Sequence, residues 1–220
     1  MKPANVLHTC VFFACLLGGS RLADAASILF SNLVQPGNQY GPDGVGIGHT
    51  PGSLNVSDYV LYAVPFVPST TAAVTSIQVP LGVISGPDQL LAYLMSDAGG
   101  VPGAAIATFP LSSLPGPPSP LLDIPVGPGV VVTGGQRYWL AATGGPLTFG
   151  TWTLNLFQGD PTDGGAISGI SNGVSQPWVV GTGSRTGALQ VIGDPVPEPS
   201  TLLLTAVAFA VFRCARRCWV

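Results

Sequence analysis

Charged side chains are scarce in this chain, and most basic ones lie near its ends. They make up 8% of the 220 residues, against roughly 25% in an ordinary soluble domain. Lys and Arg together number seven, against ten acidic residues. Nucleic-acid binding needs clustered Lys and Arg to neutralise phosphates, so we expect no nucleic-acid partner. Between residues 27 and 194 only Arg137 and Arg185 are basic, while eight Asp and no Glu are present.

The same central region also lacks cysteine and lysine, and His49 is its one histidine. Without cysteine no disulfide can form, so packing alone must hold this region together. A zinc site with several Cys or His ligands is excluded. The Gly- and Pro-rich sequence around His49 predicts a turn with a solvated side chain. Few groups are therefore available for acid–base or nucleophilic chemistry, and we expect no enzyme.

A G-x-S-x-G pattern spans residues 169–173, but its context does not fit a nucleophile. Such a serine needs a strand before it, a helix after it and a histidine later in the chain. Asn172, Gly173 and Pro177 follow instead, and His49 lies far upstream. We interpret residues 159–173 as a glycine-rich loop.

Residues 1–25 have the three parts of a secretory signal peptide. Lys2 supplies the positive start, residues 10–17 are apolar, and Ala23 and Ala25 flank an A-x-A cleavage site. Cleavage there leaves a mature chain that begins at Ala26. An uncleaved anchor is the alternative, but the apolar run is far shorter than the ~20 residues that a membrane span needs.

The C-terminal end combines a stiff linker, a short apolar helix and a basic tail. Residues 194–199 are Pro-rich and exclude a helix before Ser200. Residues 202–212 are apolar on all sides, which excludes an amphipathic helix of the domain. The sequence predicts a transmembrane helix and basic tail over residues 200–220, with Arg213, Arg216 and Arg217 as the stop-transfer cluster on the cytoplasmic side. The apolar stretch over residues 200–212 has thirteen residues. It would make about 20 Å of helix, which is shorter than the hydrocarbon core of about 30 Å.

This arrangement resembles the PEP-CTERM sorting signal of Gram-negative bacteria. The resemblance covers residues 196–217, and the motif itself is Pro197, Glu198 and Pro199. It implies that an exosortase, a membrane protease-transpeptidase, recognises these three residues and processes the C-terminal segment. It further implies delivery from the inner membrane to the cell surface or an exopolysaccharide matrix.

Between the two ends, residues 26–193 read as one all-β domain. Gly, Pro, Asn and Asp interrupt runs of apolar and β-branched residues at short intervals, which predicts an antiparallel β-sandwich. The clearest predicted strands are 59–67, 74–84, 90–96, 104–109, 130–133, 138–143, 148–157, 177–180 and 188–192. Pro80 marks an edge or a bulge in its strand. The Pro-rich stretch 110–128 predicts a long extended surface loop with a strand at 121–124.

The body also resembles the jelly-roll surface domains called choice-of-anchor domains, the R type most closely. The residues that carry the resemblance are Phe66 and the stretches 76–79, 94–103 and 134–140. The resemblance covers about residues 55–160 and implies a jelly-roll-like fold upstream of a sorting signal. It implies no activity, because none is established for that family.

Two kinds of ligand remain candidates for this body. Asp97, Asp160 and Asp163, next to glycine-rich backbone, are hard oxygen donors suited to calcium, although their spacing matches no known calcium loop. Carbohydrate is the second candidate, since sugars stack on aromatic rings. Trp139 and Trp152 lie within apolar strands, which predicts core positions, whereas Trp178 follows Gln176 and Pro177 and is the candidate ligand contact.

The leading hypothesis is thus an exported, non-catalytic surface or extracellular-matrix protein. The alternative is a carbohydrate-binding module of the exopolysaccharide matrix.

Overall fold

The computed structural model describes residues 26–33, 40–41, 43–49, 58–155, 165–171, 174–181 and 185–196. Within these ranges the chain forms fifteen β-strands and no helix. Every strand pair there is antiparallel, which confirms the all-β, antiparallel prediction. The predicted signal helix and C-terminal helix lie outside the described residues. No helix long and apolar enough to cross a membrane occurs in the described part of the chain.

The smaller of two sheets has the strand order β1-β15-β4-β8, with β9 also beside β4. Its strands are β1 (Ser27–Ser31), β4 (Ala72–Val79), β8 (Leu122–Pro125), β9 (Val131–Val132) and β15 (Gln190–Pro195). The first and last strands in the described sequence are therefore neighbours, and Ser27 lies opposite Gly193. Because these strands are antiparallel, β1 begins and β15 ends at the same pole of the domain.

The larger sheet has ten strands, and its main path runs β5-β11-β2-β3-β10-β6-β7. Along this path lie β2 (Gly44–His49), β3 (Tyr59–Phe66), β5 (Leu81–Ser85), β6 (Leu90–Asp97), β7 (Pro102–Leu111), β10 (Tyr138–Gly144) and β11 (Phe149–Thr153). A short branch pairs with β3 and consists of β12 (Ala166–Ser171), β13 (Val174–Ser175) and β14 (Val179–Val180).

One apolar core is shared by both sheets. Along β3 alternate side chains point into this core, namely Tyr62, Val64 and Phe66, and β4 of the smaller sheet contributes Ile77. This period of two is the sequence signal of a strand with one face on a core. Trp152 is fully buried there; its Nε1–H donates to the Ala188 carbonyl oxygen at 2.9 Å, and its ring meets the Tyr62 ring edge-on at 5.7 Å between centroids. The buried Trp152 side chain therefore has a hydrogen-bond acceptor for its N–H and an aromatic packing partner for its ring.

The predicted strand over residues 74–84 is two strands in two different sheets. Pro80 separates β4 from β5, because proline has no N–H to continue a ladder. The Pro80 carbonyl oxygen still accepts a hydrogen bond from the Thr153 amide at 3.0 Å. Ile77, Val79 and Leu81 are all buried, so these alternate side chains point inward on both sides of Pro80 although the chain changes sheets there.

The prediction of a loop over residues 159–173 was wrong for its second half. Residues 166–171 form β12, which pairs with β3 from Ala166 opposite Ala63 to Ile170 opposite Tyr59. Gly165 allows the backbone to lie close to the Tyr62 side chain. A Cβ at this position would lie 2.3 Å from the Tyr62 hydroxyl oxygen. Glycine alone therefore does not distinguish a loop from a tightly packed strand start.

The Pro-rich segment runs along the free edge of β5. The Val83 amide donates to the Pro115 carbonyl oxygen at 3.1 Å, and Ser119 is buried against Gly82. Such cover removes an unpaired edge that could otherwise pair with another chain. The segment then enters β8, which confirms the strand predicted near residues 121–124.

Candidate functional site

The face of the larger sheet that points away from the shared core carries a second apolar cluster. Three alanines and Trp139 form its buried part, and three larger side chains pack against them. We call this set the outer cluster: Ala63, Tyr93, Met95, Trp139, Ala141, Ala166 and Trp178. A sheet face normally needs such a cluster only where something covers it or binds to it.

Strand register explains why these residues meet. On β10, Trp139 lies opposite Met95 of β6, and Ala141 lies opposite Tyr93. On the other side of β10, Ala141 lies opposite Ala63 of β3. The face therefore has a row of small side chains beside larger ones. Neighbouring side chains across a sheet are close enough for direct contact.

The β12–β14 branch brings Trp178 to this face. Val180 of β14 lies opposite Ala166, and Ala166 lies opposite Ala63. Trp178 precedes β14 and packs against the cluster with its side chain half-buried. The small alanine side chains of the sheet face leave room for the Trp178 ring to pack on them. Trp178 is the candidate ligand contact of the sequence analysis, and the structure leaves this residue partly accessible to solvent.

A polar link closes one end of the outer cluster. The Trp139 indole N–H donates to Asp97 Oδ1 at 2.7 Å, and the Gly100 amide donates to Oδ2 at 3.0 Å. Trp139 is only 1% exposed, so its N–H relies on the Asp97 carboxylate as hydrogen-bond acceptor. The link thus fixes the position of the Trp139 ring relative to the turn after β6.

The charge of Asp97 is stabilised at this position. Partial burial acts to raise the pKa of its carboxyl group, whereas the hydrogen bonds from Gly100 and Trp139 act to lower it. The positive charge of Arg137 and the Gly99 amide act in the same direction, and the pKa of Asp97 ends below its ordinary value. Asp97 therefore stays ionised at neutral pH, hydrogen-bonded to the Trp139 indole and within the electrostatic influence of the Arg137 guanidinium.

Burial also raises the pKa of the Tyr93 phenol in this cluster. Its hydroxyl group therefore remains protonated at neutral pH and can donate a hydrogen bond. An ionised carboxylate, a guanidinium, a phenol and indole faces are groups that bind polar rings. Among the residues that the structure describes, no group of three or more His, Cys, Asp or Glu could hold a metal ion.

Both oxygens of Asp97 already accept hydrogen bonds from the protein. This arrangement does not favour Asp97 as a calcium ligand, and Asp160 and Asp163 lie outside the described residues. The calcium expectation therefore gains no support from Asp97.

The other predicted residues are placed as follows. Trp139 and Trp152 are buried, as predicted. His49 is the last residue of β2 rather than a solvated turn residue, and its amide donates to the Thr148 carbonyl oxygen at 2.7 Å. The solvated-turn prediction for His49 was wrong because the strand continues through the glycines before it. The sorting motif (Pro197, Glu198 and Pro199), the basic cluster (Arg213, Arg216 and Arg217) and the cleavage-site residues Ala23 and Ala25 lie outside the described residues.

Sequence reasoning missed the link between Asp97 and Trp139. The two residues are 42 positions apart, and only the pairing of β6 with β10 brings them together. The available signal was an Asp directly after an apolar strand, followed by Gly99 and Gly100. That signal marks a turn but does not name the hydrogen-bond donor.

Comparison with known proteins gives no assignment for this arrangement. No family model matches the chain, and no curated protein matches it in sequence.

Proposed function

We propose that this chain is an exported, non-catalytic surface or matrix protein whose β domain is carried to the cell envelope by its C-terminal segment. The proposal includes the inner membrane as a transient location and an exosortase-type protease as partner. The observation that carries it is the position of the two chain ends. Ser27 and Gly193 pair at one pole of the smaller sheet, so both predicted targeting segments join the domain on the same side.

The last described strand ends close to the motif in sequence. The last described hydrogen bond of the chain runs from the Val196 amide to the Thr71 carbonyl oxygen at 3.0 Å. Pro197, Glu198 and Pro199 follow at once. Because β15 ends at Pro195, the motif is not part of this strand, and a membrane protease would not have to unfold β15 to reach it.

We further propose that the two sheets form a jelly-roll-like sandwich. In support, residues of both sheets join one buried cluster, and the first strand pairs with the last. Strands distant in sequence are neighbours in the smaller sheet, as in β1-β15-β4-β8. Such non-local pairing is typical of Greek-key and jelly-roll connections.

Sorting is tested by replacing the motif in a matrix-forming bacterium that has an exosortase. The variant changes Pro197, Glu198 and Pro199 to alanine together, and the control changes the exposed residues Ser85 and Ser112 to alanine. Immunoblots of inner-membrane, surface and matrix fractions give the distribution. We expect the motif variant to stay in the inner membrane, while the control distributes like the wild type. A motif variant that reaches the surface as efficiently as the wild type would overturn the proposal.

Carbohydrate binding is the second candidate function, and the outer cluster favours it. Half-buried Trp178 and Tyr93 lie on one sheet face with Trp139 and the ionised Asp97. Aromatic faces pack on the C–H faces of a sugar, and the protonated Tyr93 hydroxyl can donate a hydrogen bond to a sugar oxygen.

The test for carbohydrate binding is retention on immobilised exopolysaccharide. Trp178→Ala removes the accessible ring, and Val131→Ala, which removes an exposed apolar side chain of the smaller sheet, is the matched control. We expect retention to fall at least about tenfold for Trp178→Ala, which corresponds to about 1.4 kcal/mol. Equal retention of both variants and the wild type would remove this candidate.

A further inference from the structure

We propose that the pole of the domain from which the chain enters its C-terminal segment rests against the lipid surface while that segment is in the membrane. We call this region the exit pole and define it as residues 67–71, 131–137 and 195–196. The inference rests on the proposed function, since it requires the C-terminal segment to enter a membrane. It adds the orientation of the domain and the residues that meet the lipid.

Hydrogen bonds join the three parts of the exit pole. Thr71 accepts from the Val196 amide at its carbonyl oxygen, at 3.0 Å, and from the Gly134 amide at its Oγ1, at 3.1 Å. The Gly135 amide donates to the Pro68 carbonyl oxygen at 2.9 Å. The exit pole is thus one connected surface around the point where β15 ends.

Apolar side chains are exposed on this surface. Val67 is 43% exposed, Val131 49% and Val196 41%. Arg137 is the one charged residue within the three stretches of the exit pole, and its positive charge acts on Asp97. Exposed Asp194 lies two residues before Val196. Because this surface has so few charged groups, moving it from water into the lipid headgroups costs little desolvation free energy.

The length of the linker sets how far the exit pole can lie from the membrane. Residues 197–199 are the three residues between Val196 and the apolar run, which spans residues 200–212. Extended Pro-rich chain covers ~3.1 Å per residue, so the linker reaches about 9 Å. The headgroup region on one side of a bilayer is itself about 5–8 Å thick. Only a few ångströms remain between the domain and the headgroups.

The short apolar run pulls the domain in the same direction. Its thirteen residues make about 20 Å of helix, roughly 10 Å less than the hydrocarbon core. A segment that is too short draws its flanking residues into the interface or thins the bilayer. On the outer side the flank is Val196 and the exposed valines beside it. We infer that these side chains enter the interface and partly compensate for the short anchor.

Single cysteine probes test this orientation. The central region has no cysteine, so the chain from Ala26 to Val220, with Cys214 and Cys218 replaced by serine, accepts one label at a chosen site. Val67→Cys places an environment-sensitive fluorophore at the exit pole. Leu147→Cys, 52% exposed in the turn between β10 and β11 at the opposite pole, is the matched control. The vesicles contain phosphatidylethanolamine and phosphatidylglycerol, with a lipid quencher at headgroup depth.

We expect the Val67 label to gain at least about twofold in emission on vesicle binding and to be quenched by the lipid quencher. The Leu147 label should change little. Equal behaviour of the two labels on protein that floats with the vesicles would overturn the inference and leave the anchor intact. A change at Val67 that follows protein concentration without vesicles would also overturn it, by indicating a second copy of the chain as the occupant.

A variant with Leu203→Asp and Val207→Asp separates this inference from the proposed function. Charges in the apolar run should abolish insertion, so the labelled variant should no longer float with vesicles. If the parent chain itself fails to float, the anchor is wrong, and the orientation inference fails with it.

Discussion

Removing the carboxylate of Asp97 should destabilise the domain because the buried Trp139 N–H loses its hydrogen-bond acceptor. Asp97→Ala leaves the Trp139 N–H without its acceptor at 2.7 Å, and Trp139 is only 1% exposed. A buried unsatisfied donor costs about 1–3 kcal/mol, so we expect a loss of about 2 kcal/mol in the free energy of unfolding. For a domain of this size that loss lowers Tm by about 4–8 °C.

Asp97→Asn should cost less than Asp97→Ala. The single amide oxygen of asparagine can accept from Trp139, but its NH2 group then faces the Gly100 amide. Gly100 is half-exposed, so water can accept from that amide instead. We therefore expect a loss of about 1 kcal/mol, which is the typical net value of one hydrogen bond. The control Asp194→Asn, at an exposed position, should stay within about 0.5 kcal/mol of the wild type.

The contribution of the Asp97 carboxylate to the free energy of unfolding should also depend on pH, in a direction set by its pKa. The pKa of Asp97 is lower in the folded protein than its ordinary value of 3.8. Its ionised form therefore stabilises the fold at pH values above about 3.8, and this contribution disappears as the pH falls through the folded pKa. The difference in the free energy of unfolding between the wild type and Asp97→Asn should therefore become smaller as the pH falls through that range. Urea unfolding at several pH values measures it, and an Asp97→Ala variant as stable as the wild type at pH 7 would refute the reasoning.

Four other variants test the structure elsewhere. Gly48→Ala should cost several times more than Gly99→Ala in urea unfolding: both have positive φ, but a Cβ on Gly48 would lie 2.3 Å from a backbone oxygen, whereas Gly99 has nothing within 4 Å. Tyr62→Phe should lose about 1–3 kcal/mol, because the buried Gly187 amide donates to the Tyr62 hydroxyl. Burial raises the pKa of Tyr62 to about 12, so its contribution should be complete below pH 10 and decline above it, and alkaline titration of the variant should lack that decline. Ile106→Lys, on the exposed edge strand β7, should reduce light scattering from concentrated protein, because an edge charge opposes strand pairing between copies.

Much of the strand content could be predicted from local sequence. The apolar runs at β3, β6 and β10 have the length and residue types of strands, and the structure places strands there. The core positions of Trp139 and Trp152 also follow from the apolar residues around them. These predictions succeed because burial on a sheet face leaves a pattern in neighbouring residues.

Sheet membership could not be predicted in the same way. Pro80 announces an interruption, but only long-range pairing assigns β4 to one sheet and β5 to the other. Gly165 indicates a loop by composition, whereas it is small because the Tyr62 ring lies against it. The outer cluster depends on β6, β10 and β3 being neighbours, and that order is not encoded in any one segment.

Intact mass spectrometry of the mature protein from envelope and secreted fractions tests the central claim most directly. The account predicts a chain that begins at Ala26 and ends near Glu198, so that the β domain is the exported unit. A chain that still ends at Val220 and stays in the inner membrane would contradict it.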